Sequence, residues 1–310
     1  MFRAKCTGCC SIPSLPDTGP CDIFLFKSER RALSDLYHPL TGSFAAPQPL
    51  LPPGPDCPAL PILQAELQAD LESILKKSTR LIQACVDVVS SSSWLSPALA
   101  AMEMSQMVVQ ATWSTDSYLK QIPHMTGERL KRAAAKQVES VFDLTDLEDD
   151  ERNDILRMSG PELADVARFC NRYPNVELNF EVEDEDNIHA GAPTVVTIEL
   201  ERDDDDGSQS GPVVAPYFPQ RKDESWWLIV GEPSTNALVS IKKVNLQQKS
   251  TVKLEFPAGD EGKHEYKIYF MCDSFLGCDQ EFDFTMDIKE KLDESSDEDS
   301  DEMSEDEEEA

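Results

Sequence analysis

Bases are scarce in this chain: its 310 residues carry 28 Lys and Arg against 59 Asp and Glu, a formal net charge of -31. Nucleic-acid binding draws on phosphate neutralisation by Lys and Arg and on counterion release, so a chain this acidic repels a phosphate backbone as a whole. What remains for RNA is one local basic patch, Arg129, Lys131, Arg132 and Lys136, and the contact expected there is weak. Long apolar runs are lacking too. No stretch approaches the roughly 20 residues needed to cross a bilayer. Residues 1–20 hold bases without the continuous apolar core of a secretory signal. These absences predict an unsecreted chain with no membrane partner.

Histidines are few and dispersed. His38, His124, His189 and His264 lie far apart, none at ligand spacing from a Cys or carboxylate. The nine cysteines are odd in number and scattered. Cys85 and Cys170 fall in helical patterns, where a thiol packs as a small hydrophobe, so reduced thiols are expected. Cys6, Cys9 and Cys10 form a C-x-x-C-C cluster, but Cys21 and Cys57 are isolated and supply no second ligand pair, which favours loose thiols over zinc. Glycine motifs that cradle phosphate are missing. Gly259-Asp260-Glu261-Gly262-Lys263 has the wrong spacing and lies between expected strands, and there is no Rossmann fingerprint, G-x-S-x-G or H-E-x-x-H. The acidic run Asp203–Asp206 lacks the spaced ligands and turning glycine of an EF-hand. No cofactor, metal, small-molecule ligand or catalysis is expected.

What is present is a change of period. From Ile62 to Met158 apolar residues recur every three or four positions, and from Val176 to Ile288 they alternate every second position between turn signals. The sequence therefore reads as α+β and multidomain: a Pro-rich leader (1–61) expected to be disordered, a partial helical bundle (62–137), a helix-loop-helix (138–174), an immunoglobulin-like or fibronectin-like β sandwich (175–289), and an acidic disordered tail (290–310).

In the helical region, Leu67, Leu71, Ile74, Leu75, Ile82, Cys85, Val86 and Val89 trace one stripe that must find partners. Ser96-Pro97 reads as the N-cap and first turn of the next helix, whose Met102, Met104 and Met107 read as adaptable core filler. Ser159 and Glu162 read as a capping box, and Pro174 as the stop of that last helix. In the β region strands are expected near Val176–Val182, Thr194–Leu200, Val213–Phe218, Trp226–Val230, Ala237–Val244, Thr251–Phe256, Glu265–Met271 and Glu281–Ile288. Of the neighbours Trp226 and Trp227, which point to opposite faces of a strand, one is expected in the core. The other lies on the outer face, as a partner contact or under a neighbouring domain, and both are candidate partner-binding residues.

Four segments carry a family likeness: Leu81-Ile82-Gln83-Ala84-Cys85-Val86-Asp87-Val88, Trp94-Leu95-Ser96-Pro97-Ala98-Leu99, Asp116–His124 and Phe169-Cys170-Asn171-Arg172-Tyr173-Pro174. Together they resemble the Sec sixty-three homology unit, most nearly the C-terminal unit of the spliceosomal RNA helicases of the U-five snRNP. The resemblance runs from about Leu63 to Ile288. It implies a bundle, a helix-loop-helix and a fibronectin-like sandwich, a nuclear setting, a part in pre-mRNA splicing and contacts with U-five snRNP proteins. In that family the unit follows a RecA pair and a winged helix, in whose place this chain has its Pro-rich leader. The expectation is a non-catalytic scaffold. Two alternatives are an endoplasmic-reticulum translocation component, which would need membrane spans and a His-Pro-Asp motif where His38-Pro39 is followed by Leu40, and a helicase fragment supplying an RNA-facing surface in trans.

The tail has its own chemistry. Asp293–Glu309 holds 12 acids and no base, and Ser295, Ser296 and Ser304 each have an acid three residues later, the pattern of an acidophilic kinase substrate. It reads as a solvating or partner-tuning segment.

Overall fold

The switch of period becomes a switch of architecture between Cys170 and Val176. The computed structural model describes residues 65–203 and 211–291. Six α-helices come first among the described residues: α1 (Ala65–Ser91), α2 (Leu95–Gln110), α3 (Gly127–Ala135), α4 (Val141–Asp146), α5 (Asp149–Leu156) and α6 (Gly160–Cys170), with a 3-10 turn at Tyr118–Gln121. Seven strands follow: β1 (Val176–Val182), β2 (Pro193–Arg202), β3 (Trp226–Glu232), β4 (Ala237–Val244), β5 (Lys249–Pro257), β6 (Gly262–Cys272) and β7 (Gln280–Ile288). They form two antiparallel sheets, ordered β1-β2-β5 and β4-β3-β6-β7.

Period-2 alternation fixes which side of each strand is buried. In β5, Val252, Leu254 and Phe256 are buried while Thr251, Lys253 and Glu255 are exposed. With Val196, Ile198 and Leu200 of β2 they face Trp226, Leu228, Val230, Ile268 and Phe270 of the other sheet in one cluster. Trp226 stacks on Phe270 at 4.2 Å between ring centroids. Strand β3 is buried on both faces. Its odd residues Trp227 and Ile229 join Tyr269 and Met271 of β6 in a second cluster, against Val86 of α1 and Leu95, Ala98, Ala101 and Met102 of α2. Each fully buried apolar side chain here contributes about 1.5–3 kcal/mol, which is what seats the two helices on the outer face of the four-stranded sheet.

Helices α3 to α6 close the other end. Ala133, Val141, Leu144, Ile155, Leu156, Val166 and Phe169 belong to the main core. There Phe169 and Tyr173 meet Phe275, from the β6–β7 loop, edge-on at 6.0 and 5.6 Å, the geometry that ring quadrupoles favour. At the start of α6 the Glu162 carboxylate accepts from both the N–H and the hydroxyl of Ser159, each at 2.8 Å, and the helix ends at Cys170, ahead of Pro174.

Three local expectations are corrected. Met104 is 42% exposed and fills no core, unlike the buried Met102. Val213–Phe218 is not a strand: Pro212, Pro216 and Pro219 remove ladder donors, and the segment runs as irregular chain and turns. Ser96 is not an N-cap. Helix α2 begins at Leu95 with Trp94 in the cap position, and Ser96 donates its N–H to Asn236 Oδ1 at 3.0 Å and its hydroxyl to the same oxygen. Asn236 sits in the β3–β4 turn at φ +56°. The cap is thus supplied 140 residues downstream, where no local pattern reveals it.

Candidate interaction surface

Both candidate tryptophans are buried, Trp226 at 0% and Trp227 at 2% relative exposure. Trp226 is the core residue. Trp227 takes the outer face, where α1 and α2 cover it. Only the margin of the Trp227 indole reaches a surface cleft, with the Lys243 ammonium over the ring at 4.9 Å from its centroid.

The basic patch divides by role. Arg129 donates through Nε to the Leu156 carbonyl at 2.7 Å and through Nη1 to the His124 carbonyl at 2.6 Å. Arg132 donates through Nε to the Ile155 carbonyl at 2.8 Å, and Lys136 pairs with Asp154 at 3.3 Å. The two guanidinium groups therefore satisfy the orphan carbonyls at the end of α5, the charge sign its dipole favours. Lys131 is exposed. Ser295, Ser296, Ser304 and the Cys6-Cys9-Cys10 cluster lie outside the described residues.

Helix α1 carries three of the large hydrophobic side chains that stand exposed among the described residues. Val86 is buried against α2 and the sheet and Ile82 is buried as well, but Ile74, Leu81 and Val88 are 58, 67 and 64% exposed, and Cys85 is exposed beside them. Within the expected stripe Ile82 and Val86 are seated while Ile74 and Cys85 stand open, and the exposed Leu81 and Val88 lie outside it. Leu71, Ile74, Ser78, Leu81, Cys85 and Val88 follow one another at spacings of three and four, the a/d repeat of a coiled-coil seam. That repeat stands in the sequence, overlaid on the neighbouring stripe that packs inward, and the two are separable only once burial is known.

Beside this seam lies a cleft of about 430 Å³. Helix α1 lends it Thr79, Arg80 and Gln83, α2 lends Ser105, the chain before β3 lends Phe218, Gln220, Arg221 and Lys222, and Trp227, Lys243 and Asp273 complete it. Lys222 is neutralised by Asp273 at 2.6 Å. Desolvation beside the indole pushes the Lys243 amine down, only partly offset by Asp273 and Asp87.

A third feature escaped the sequence reading altogether. Gln106 Nε2 donates to the Cys272 carbonyl at 2.7 Å, Gln110 Nε2 to the Ser274 carbonyl at 2.8 Å, Gln121 Nε2 to the Leu276 carbonyl at 2.8 Å and Ser105 Oγ to the Asp273 carbonyl at 3.0 Å. Tyr173 Oη also donates to the Leu276 carbonyl, at 2.7 Å. The β6–β7 loop is thereby clamped to the helical side by buried donors. Gln106 and Gln110, four apart on the buried face of α2, were the available signal. Cys170, Cys272 and Cys278 lie in this interior, and burial raises the Cys170 thiol to about 11, far from a reactive thiolate. Among the described residues no group of His, Cys, Asp and Glu could hold a metal ion, and no helix is long and apolar enough to cross a membrane.

Six helices joined by buried polar clamps to two antiparallel sheets make this an α+β protein among the described residues. The Sec63 Brl domain family model matches residues 59–285. This chain belongs to the Sec63 Brl domain family. It is 58% identical over 228 residues to the U5 small nuclear ribonucleoprotein 200 kDa helicase of Homo sapiens and 56% identical over 226 residues to that of Drosophila melanogaster. It is 48% identical over 227 residues to the DExH-box ATP-dependent RNA helicase DExH12 of Arabidopsis thaliana. These matches cover 74, 73 and 72% of this chain, and the chain spans about a tenth of the length of each relative.

Proposed function

We propose that this chain is a non-catalytic protein-interaction module of the pre-mRNA splicing machinery, acting in the nucleus and docking on proteins of a U5 small nuclear ribonucleoprotein. The observation that carries this reading is the 58% identity across 228 residues to a helicase named for that particle. The open α1 seam supports it, because an exposed a/d repeat on a seated helix offers a partner helix an apolar face. We take the three-on-four strand arrangement as an immunoglobulin-like, fibronectin-like sandwich that serves as the frame for this surface. No ATP chemistry is assigned. The Gly259–Lys263 segment runs from the β5–β6 link into the first two residues of β6 and opens no helix, so it lacks the N-terminal dipole that holds phosphates. Sedimentation tests the proposal. Tagged protein added to nuclear extract is expected to move on a glycerol gradient with the particle that contains U5 snRNA, and to stay there after removal of exposed RNA by nuclease. Recovery only at the position of the free chain would refute it.

A further inference from the structure

The cleft beside Trp227 is a patch of positive charge on a chain whose net charge is -31. Arg80, Arg221, Lys222 and Lys243 line it against the single carboxylate of Asp273, which Lys222 already occupies. Arg80 and Arg221 are exposed and form no ion pair among the described residues, and Lys243 leans on the indole with only the Gln83 carboxamide as a hydrogen-bond acceptor. The Trp227 Nε1–H is buried with no acceptor, and an unmet buried donor costs about 1–3 kcal/mol. The cleft therefore presents two cations without an ion pair, Arg80 and Arg221, a third, Lys243, only partly offset by Asp273 and Asp87, and an apolar floor. That combination fits an extended acidic peptide, whose carboxylates meet the cations while its stem covers the ring.

We infer that the occupant is this chain's own acidic tail, Asp293–Glu309, folded back in cis. The charge is complementary: 12 acids and no base. The reach suffices. Strand β6 runs from Gly262, paired with Ile288 where β7 ends, to Met271, paired with Trp227 at the cleft. Nine residues of strand separate these points, about 30 Å, whereas residues 292–310 extend to roughly 60 Å. An intramolecular ligand also acts at an effective concentration in the millimolar range, so modest contact energy fills the site. The inference does not depend on which partner binds the α1 seam.

Zero-length carbodiimide coupling of the full chain, followed by mass spectrometry, tests it, since the reagent joins only carboxylates and amines already in contact. Cross-links within one chain from Lys243 and Lys222 to Asp293–Glu309 are expected. They should drop at least fivefold in 1 M salt, and by a similar factor in an Arg80→Glu/Arg221→Glu variant whose melting temperature is unchanged. Because the desolvated Lys243 amine is intrinsically reactive, a yield indifferent to salt and to the variant would overturn the proposal. So would coupling of the tail spread evenly over the other lysines, links between two chains, or links from the cleft lysines to Asp203–Asp206 in place of the tail.

Discussion

Gln106 holds Asp279 by both oxygens, its Nε2 standing 3.0 and 2.8 Å from the carboxylate of a residue 173 positions away. The Cys272 N–H donates to the same carboxylate at 2.7 Å. Burial nevertheless dominates and raises the Asp279 carboxyl to about 7, with Glu103 and Glu281 adding to the rise. In the unfolded chain this group ionises near 4. The folded state thus binds the extra proton between these values, and stability falls as pH rises from about 4 to 7, then levels off. The loss is of order 3–4 kcal/mol at most. Denaturant titrations at pH 5.5, 7 and 8.5 should show that decline in the native chain, and Asp279→Asn should flatten it. His264, raised chiefly by its hydrogen bond to Glu232, contributes in the same direction through its own window. His264→Gln in the Asp279→Asn background should remove what slope remains.

The Asn236 cap of α2 can be dissected. Asn236→Ala loses the acceptor for Ser96 and places a Cβ residue without a polar side chain at φ +56°. Asn236→Gly loses the acceptor alone. Thermal unfolding should show the alanine variant down by about 1–2 kcal/mol and the glycine variant down by less. Equal losses would mean that the cap contributes all of it.

Gly231 lies where the β3–β4 register shifts, and a Cβ built on it would stand 2.6 Å from Leu95 Cδ1. Gly231→Ala should cost about 1–3 kcal/mol by overpacking. A double-mutant cycle with Leu95→Ala should recover part of that cost, and simple additivity would place the cost elsewhere.

Arg132 and Lys131 are adjacent bases with different surroundings. Arg132→Ala should lower stability by about 1 kcal/mol, since it leaves the Ile155 carbonyl without its donor. Lys131→Ala should leave the unfolding midpoint unmoved. Denaturation curves of the two variants decide the point.

These cases show which parts of the fold were legible beforehand. Strand β5 and the Ser159–Glu162 start of α6 were readable because their information is local, in period-2 burial and a three-residue capping contact. The start of α2 was not, because Asn236 supplies its cap from another element. Val213–Phe218 misled because its apolar residues imitate a strand while its prolines forbid the ladder. On the candidate surface, the burial of one Trp in the core and one outward was legible from alternation. The role of Arg129 and Arg132 at the end of α5 was not, since a cluster of bases reads the same whether it faces solvent or backbone carbonyls.

The most direct measurement sets the α1 seam against the particle. Leu81→Lys with Val88→Lys puts two ammonium groups into the open a/d face, where both positions are exposed and no core contact is lost. Sedimentation with the U5 snRNA-containing particle should fall about tenfold or more, while the unfolding temperature stays within a few degrees of the native chain. Undiminished cosedimentation of a folded Leu81→Lys/Val88→Lys protein would contradict a role for this seam in partner docking.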